Sequence, residues 1–293
     1  MGAAPAETGQ SYIATFFSRL EELGWARGRN IRIETRWWDD NPERMQAAVS
    51  ELMAFTPDVV MVFSNLALAQ IKPKAGAVPL VFVGVGDPVG GGFVSDIAHP
   101  GGTITGFAGT DGPIGGKWLE VLKETVPQLR RVLAVMHSET AVHQAFWRSM
   151  EAAGPRFGVE VVAGSVRDAA NIESAVASFA TKEDGGVIVF PHAITWANEK
   201  LLIELGLWHR LPSHYATAAS VKAGGLVSYG HDFEDSFRKT AEYVDRILRG
   251  EKAGDLPVQQ PTKFKLVFNL KTAKAINLTV PALLLARADE VTE

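Results

Sequence analysis

The stretch Pro79-Leu-Val-Phe-Val-Gly-Val-Gly-Asp87-Pro-Val-Gly-Gly-Gly-Phe-Val-Ser-Asp-Ile-Ala-His-Pro100-Gly-Gly-Thr-Ile-Thr-Gly-Phe-Ala108 decides the fold. The run Leu80–Val83 is apolar at every position, so both faces of the strand it forms must be covered, as in a parallel sheet with helices on both sides. It ends in a glycine-softened loop that carries one carboxylate, Asp87. Open α/β sheets hold ligands at the carboxyl ends of such strands.

Outward from there, β-runs alternate with helical patterns. Residues 10–24 place Ile13, Phe16, Phe17, Leu20 and Leu23 on one helical face, with Gly24 as a stop. Asn30–Trp37 alternates as a strand, a helix opens at Asn41-Pro42, and Asp58–Phe63 reads as a buried strand followed by a helix that Ser64-Asn65 caps. Asp87 is read either as a ligand contact or as the cap of a helix starting at Pro88. After Pro113 a second set follows. Helices are expected at 114–126, 140–153, 169–181 and 193–208, with strands at 131–136, 159–162, 186–190, 212–216 and 226–229. Beyond Gly230 come a long amphipathic helix, Phe233–Leu248, a proline-containing link, a strand at Lys263–Phe268 and a short helix at 270–276. Strands alternating with helices of this length predict βαβ units in two similar lobes.

Composition removes several classes of function. The 293 residues carry a net charge of −4, with no basic footprint for nucleic acid. There are 0 cysteines, so disulfides, zinc–thiolate sites and thiol nucleophiles are excluded. No apolar run reaches the roughly 18 residues that span a bilayer, and Met1-Gly-Ala-Ala-Pro has neither the charged nor the apolar region of a signal peptide. His137, His192, His214 and His231 lack helix-pair spacing and an accompanying acidic cluster, so no metal is expected. Ser138 lies in no G-x-S-x-G elbow, and Gly84-Val-Gly86-Asp-Pro-Val-Gly90 does not fit the dinucleotide fingerprint. No cofactor and no catalytic constellation is expected.

Several motifs in order resemble one family. They are Glu-Leu-Gly-Trp25, Gly28-Arg-Asn-Ile-Arg-Ile-Glu34, Arg36-Trp, Pro57-Asp-Val-Val, Asp87-Pro-Val-Gly, Gly115-Gly-Lys-Trp-Leu-Glu120 and Ser228-Tyr-Gly, then Tyr243-Val-Asp-Arg-Ile-Leu-Arg-Gly250, Leu256-Pro-Val-Gln-Gln-Pro-Thr-Lys-Phe264 and Asn269-Leu-Lys-Thr-Ala-Lys-Ala. Together with the 79–108 stretch they are similar to the substrate-binding proteins of ABC importers of the tryptophan/tyrosine type. The resemblance implies a type I periplasmic-binding-protein fold: two Rossmann-like doubly wound lobes joined by a three-crossover hinge, which close on a small ligand. The expected lobes are 1–108 with 232–262, and 110–230 with 264–293, with the hinge near 103–113, 230–232 and 262–264. The resemblance also implies an aromatic or hydrophobic amino acid or related small carboxylate as ligand, a membrane permease and its ATPase as partners, and a periplasmic location. A monomer is expected. Met1 falls where the family's first strand ends, so that strand and the export signal are expected to lie upstream of the residues given.

Candidate ligand contacts are residues at carboxyl ends of strands. In the first lobe these are Ser64 and Asn65, where a helix start suits a carboxylate, and Asp87, which suits an ammonium or hydroxyl. In the second lobe they are His137, Ser138, His192, Tyr215 and Tyr229. The loop Gly2–Thr8 is expected to face the same crevice. Trp196 is read as packing within its own lobe, Trp37 as core, since it alternates with the buried set, and Trp38-Asp39-Asp40 as solvated surface. Two other readings of the fold stay open at this point: the ligand-sensing domain of a lac-repressor-like regulator, and a Rossmann-type enzyme using a nucleotide.

Overall fold

A computed structural model describes residues 6–36 and 42–293, which divide into two units. Unit 1 is Met1–Thr110 with Asp232–Lys263, and unit 2 is Asp111–His231 with Phe264–Glu293. The chain therefore crosses between units three times.

Unit 1 begins with α1 (Ala6–Glu22) and α2 (Pro42–Ala54), followed by β1 (Val60–Phe63), α3 (Asn65–Ala75), β2 (Leu80–Val85) and β3 (Ile104–Ala108). The three strands form a parallel sheet in the order β1-β2-β3. Leu80, Val81, Phe82 and Val83 are each 0% exposed, as the all-apolar run requires. Gly106 is dictated by sheet spacing: a Cβ there would meet the Phe82 carbonyl oxygen at 2.1 Å.

The expected strand at Asn30–Trp37 does not form within the described residues. Ile31 makes one isolated bridge to Arg27, and 32–36 join no ladder. The alternation is genuine, but a trough lies between this segment and β1, so no neighbouring backbone is in pairing range. The expected helix at Pro88 is also absent. The chain instead turns there, with Asp87 Oδ1 accepting from the Gly90 N–H at 2.8 Å.

Unit 2 continues with α4 (Ile114–Thr125), β4 (Arg131–Met136), α5 (Ala141–Phe157), β5 (Glu160–Ser165), α6 (Ala169–Phe179), β6 (Gly185–Val189), α7 (Ala193–Ala197), α8 (Glu199–Trp208), β7 (Ser213–Tyr215), α9 (Ala218–Lys222) and β8 (Val227–His231). The helix expected at 193–208 is two helices. Asn198 separates them, its side-chain amide donating to the Ile194 carbonyl at 2.8 Å, the local competition by which asparagine interrupts helices. The chain then returns to unit 1 as α10 (Phe233–Leu248), capped by Asp232. It ends in unit 2 with β9 (Phe264–Asn269), α11 (Leu270–Ala275), α12 (Ala282–Arg287) and β10 (Glu290–Thr292).

The unit 2 sheet has seven strands in the order β10-β9-β8-β7-β6-β4-β5, all parallel except the β8–β9 pair. Strand alternation sorts its core into two clusters. Val132, Ala134, Ile188 and Phe190 join Trp118 and Phe146 on one face, while Leu133, Val135, Val187 and Val189 join Ile172 and Phe179 on the other. Among the described residues no helix is long and apolar enough to cross a membrane.

Candidate functional site

In unit 2 the strand order locates a crevice. From β4 the chain moves outward to β5, then crosses back to β6 on the other side of β4. Loops leaving β4 and β6 diverge at such a reversal, which is where open α/β sheets hold ligands. His137 follows β4, and His192 follows β6 by three residues. Their rings stack there with centroids 4.8 Å apart and planes 13° apart.

A third histidine holds this pair and was missed in the sequence. His143, in the first turn of α5, is 0% exposed. Its Nδ1 accepts from the His137 N–H at 2.9 Å, so that nitrogen carries no proton. Nε2 therefore carries it and donates to the Pro191 carbonyl at 3.1 Å. The ring thus ties the end of β4 to the end of β6. Nothing in the spacing of residues 137–143 announces this, because the acceptor comes from 48 residues away. Burial holds the His143 imidazole at a pKa of about 4. His192 is pushed down to about 3, chiefly by burial and then by the two neighbouring histidines. His192 also caps α7: its Nδ1 accepts from the Ile194 N–H at 3.3 Å, while Thr195 Oγ1 accepts from the His192 N–H at 3.0 Å. The result is a flat imidazole surface held by backbone hydrogen bonds, in which burial keeps the His192 ring neutral.

Of the other residues expected in this lobe, Ser138 is half-buried and its hydroxyl is 2.7 Å from that of Ser165. Tyr229 is half-buried, with its ring stacked on Phe264 at 5.6 Å and the Lys117 ammonium 5.9 Å from its centroid. Its N–H donates to His214 Nε2 at 3.0 Å, and its carbonyl accepts from Trp118 Nε1 at 2.8 Å. His214 is 0% exposed, and burial pushes its pKa down to about 3. Tyr215 is not on an open wall. It is 3% exposed within the core, and burial raises its hydroxyl above the ordinary range. Its side chain stands on the sheet face whose core includes Val189, Leu202 and Ile203, and its ring lies so close to Gly225 that a Cβ there would meet it at 2.6 Å.

In unit 1 the expected residues fall at the ends of β1 and β2. Ser64 sits at φ 88° and accepts from the Ala67 N–H at 3.4 Å, capping α3. The first N–H groups of α3, at Asn65 and Leu66, have no acceptor within the helix and lie in its partial positive field. The Asn65 side chain bonds one backbone unit at both its ends: Nδ2 donates to the Gly86 carbonyl at 2.7 Å and Oδ1 accepts from the Gly86 N–H at 2.9 Å. It is therefore a clamp that sets the Asp87 loop against the start of α3. Asn65→Ala is expected to remove both bonds at a cost of about 2 kcal/mol, read as a lower urea midpoint and faster amide exchange at residues 86–92. Asp87 itself is exposed, at φ 43°. Beneath these ends Phe63 packs on Phe233 and Phe237 at 5.9 and 5.7 Å, and Tyr12 stacks on the same two rings at 5.4 and 5.5 Å.

Residues 2–5 and 37–40, named in the sequence reading, lie outside the described residues, and Ala6–Thr8 belong to α1 rather than a loop. Among the described residues no three histidines or carboxylates are arranged to hold a metal.

Comparison with known proteins agrees with this architecture. The family described as ABC transporter substrate binding protein matches residues 11–292. A tyrosine-binding protein of Clostridioides difficile (strain R20291) is 22% identical over 263 residues, 90% of this chain and 75% of that protein. A conserved domain protein from Vibrio cholerae O1 biovar El Tor has a structure similar at TM-score 0.90 and 22% identity, covering 99% of this chain and 97% of its own. An ABC domain from Streptococcus pneumonia, solved in complex with L-Trp, is similar at TM-score 0.86 and 22% identity, covering 96% and 94%. The solved structures establish the type I periplasmic-binding-protein fold. The chain belongs to the ABC transporter substrate-binding protein family, whose members bind their ligands without transforming them.

Proposed function

We propose that this protein is the extracytoplasmic component of an ABC importer, binding an amino acid with an aromatic or large apolar side chain and delivering it to a permease driven by an ATPase. The family match over residues 11–292 carries the reading, and the tyrosine-binding relative and the L-Trp complex support the ligand class. The chemistry of each unit fits a zwitterion. The free N–H groups of the first turn of α3 and the Ser64 hydroxyl suit a carboxylate, and the Asp87 carboxylate suits an ammonium. The stacked His137 and His192 rings offer a flat face to an aromatic body. Ser138 and Tyr229 belong to the same proposed contact set. Tyr215 supports the set from the core. The two units act as lobes closing about the three crossings near residues 110, 231 and 263.

The test is calorimetric titration with tyrosine, tryptophan and phenylalanine, alongside 3-(4-hydroxyphenyl)propionate, which lacks the ammonium, and tyramine, which lacks the carboxylate. Saturable binding of an amino acid but neither truncated analogue is the expected result. Binding of none of the three amino acids, or equal binding of either truncated analogue, would overturn the reading. Asp87→Asn keeps an acceptor for the Gly90 N–H while removing the charge. It is expected to weaken amino-acid binding about 10- to 100-fold, the size of one lost charge-assisted hydrogen bond, with no change in melting temperature.

A further inference from the structure

The motif Leu256-Pro-Val-Gln-Gln-Pro-Thr-Lys-Phe264 takes no part in the proposed ligand set. Its first half is knitted into unit 1. Thr105 Oγ1 donates to the Leu256 carbonyl at 2.7 Å, the Gln259 N–H to the Gly106 carbonyl at 2.9 Å, and the Ala108 N–H to the Gln259 carbonyl at 2.8 Å. Tyr243 of α10 adds a second anchor: its hydroxyl donates to the Pro257 carbonyl at 2.8 Å and accepts from Gln259 Nε2 at 3.1 Å. The far end of the motif, Phe264, opens β9 in unit 2. Between the two, residues 260–262 join no ladder. Such a run is a string of free torsions, and it leads directly into the third crossing.

Lys263 closes that run. Its Nζ meets Asp235 Oδ1 at 2.6 Å, and Asp235 lies in the first turn of α10. Asp235 Oδ2 meets Nζ of Lys239, one turn further along the same helix, at 2.6 Å. The Asp235 side chain is 19% exposed, against 62% for Lys263 and 40% for Lys239, so the carboxylate is the sheltered centre of the triplet. A carboxylate drawn out of water is held there by opposite charge and hydrogen bonds on its oxygens. The Lys263 backbone is used as well: its carbonyl accepts from the Asp232 N–H at 2.9 Å. One residue on, His231 and Phe264 are partners in the β8–β9 ladder. The second and third crossings are therefore paired, backbone to backbone, at the residues on either side of the step. Asp232 also caps α10, its Oδ1 accepting from the Asp235 N–H at 3.2 Å. Both crossings thus leave unit 1 from the first turn of one helix.

We propose that Asp235 is a positioning residue of the hinge: by holding the Lys263 ammonium it pins the third crossing to α10, and so confines movement of the units to the torsions at the 231–232 and 263–264 steps. This rests on the reading that the two units close as lobes. The two ion pairs of Asp235 differ in what they constrain. The pair with Lys239 lies within one helix and fixes nothing outside it. The pair with Lys263 spans 28 residues and ties the loose 260–262 run to that helix. Without it, those torsions join the hinge, and the units gain freedom that closing on a ligand has to remove.

The experiment reads hinge freedom directly. The chain has 0 cysteines, so Ser50→Cys in α2 and Ser178→Cys in α6, both exposed, carry one spin label on each unit. Double electron–electron resonance gives the distribution of distances between the labels in the ligand-free full chain, and amide exchange is followed at Asp232. Lys263→Met keeps the apolar stem and removes the charge. It is expected to widen the distribution by about half or more and to speed exchange at Asp232 about threefold or more, the size of a partly sheltered ion pair. Asp235→Asn is expected to do the same. Lys239→Met removes only the pair inside the helix and is expected to change neither reading. Unchanged width and exchange in Lys263→Met, or equal widening in Lys239→Met, overturns the proposal. Both readings are taken without ligand, so a failure to bind any amino acid would tell against the functional reading alone.

Discussion

Lowering the pH from 7 to 4 is expected to destabilise unit 2 by several kcal/mol. Three imidazoles are held neutral there by burial: His143 at about 4, His192 at about 3 and His214 at about 3, against 6.5 in an exposed chain. A base whose folded pKa lies below its unfolded value takes up its proton more readily on unfolding. Its contribution is complete above pH 6.5 and is lost progressively as pH falls toward 4 and 3. At about 1.4 kcal/mol per unit of pKa difference, His143 and His214 each withdraw about 3 kcal/mol by pH 4, comparable together with the whole stability of an ordinary domain. Calorimetry between pH 7 and 4 checks this. His143→Gln retains an acceptor for the His137 N–H and a donor for the Pro191 carbonyl without titrating, so the fall should flatten in that variant. An unchanged slope in both His143→Gln and His214→Gln would show that acid acts elsewhere. The same protonation would place positive charge under the proposed aromatic platform, so ligand affinity is expected to fall over the same interval.

Trp118→Ala is expected to cost about 4 kcal/mol, within the range for emptying a large aromatic site. Trp118 is 0% exposed and lies 4.9 Å from Phe146, 5.6 Å from Phe190 and 5.7 Å from His214 between ring centroids. Its Nε1 donates to the Tyr229 carbonyl, so truncation leaves both a cavity and a buried acceptor to satisfy. Neighbouring backbone cannot collapse into the space: at Gly115, three residues earlier, a Cβ would meet the Phe146 carbonyl oxygen at 2.1 Å, so α4 and α5 are already in contact. Urea denaturation gives the loss directly, and Trp118→Phe is expected to recover about half of it. The consequence for function is positional, since the Trp118 bond holds the same Tyr229 backbone whose N–H reaches His214.

Much of the fold was legible because its signals are local. The all-apolar Leu80–Val83 run demands two covered faces, whatever lies around it. The alternation of β-runs with helical patterns reports βαβ units, and the ordered motifs from Trp25 to Asn269 carry the family. Candidate site residues followed from position alone: a polar residue just beyond a buried strand lies at a carboxyl end, as Ser64, Asp87, His137 and His192 do.

What each side chain does there was decided by partners distant in sequence. Asn65 looks like a helix cap, but its amide is taken by Gly86, 21 residues on. Tyr215 looks like a cleft residue, but it shares a core cluster with Leu202 and Ile203 of α8. His143 gave no signal, because its role depends on a carbonyl delivered by β6. Asn30–Trp37 has the alternation of a strand, yet a strand exists only when another backbone lies within hydrogen-bonding distance, and in this structure a trough occupies that place. The sequence by itself determined which segments could be strands, which faces must be buried and which residues stand at the ends. Tertiary structure alone decided which of those strands are paired and which polar groups remain open to a ligand, because a hydrogen bond is made or withheld by whatever the fold brings within about 3 Å.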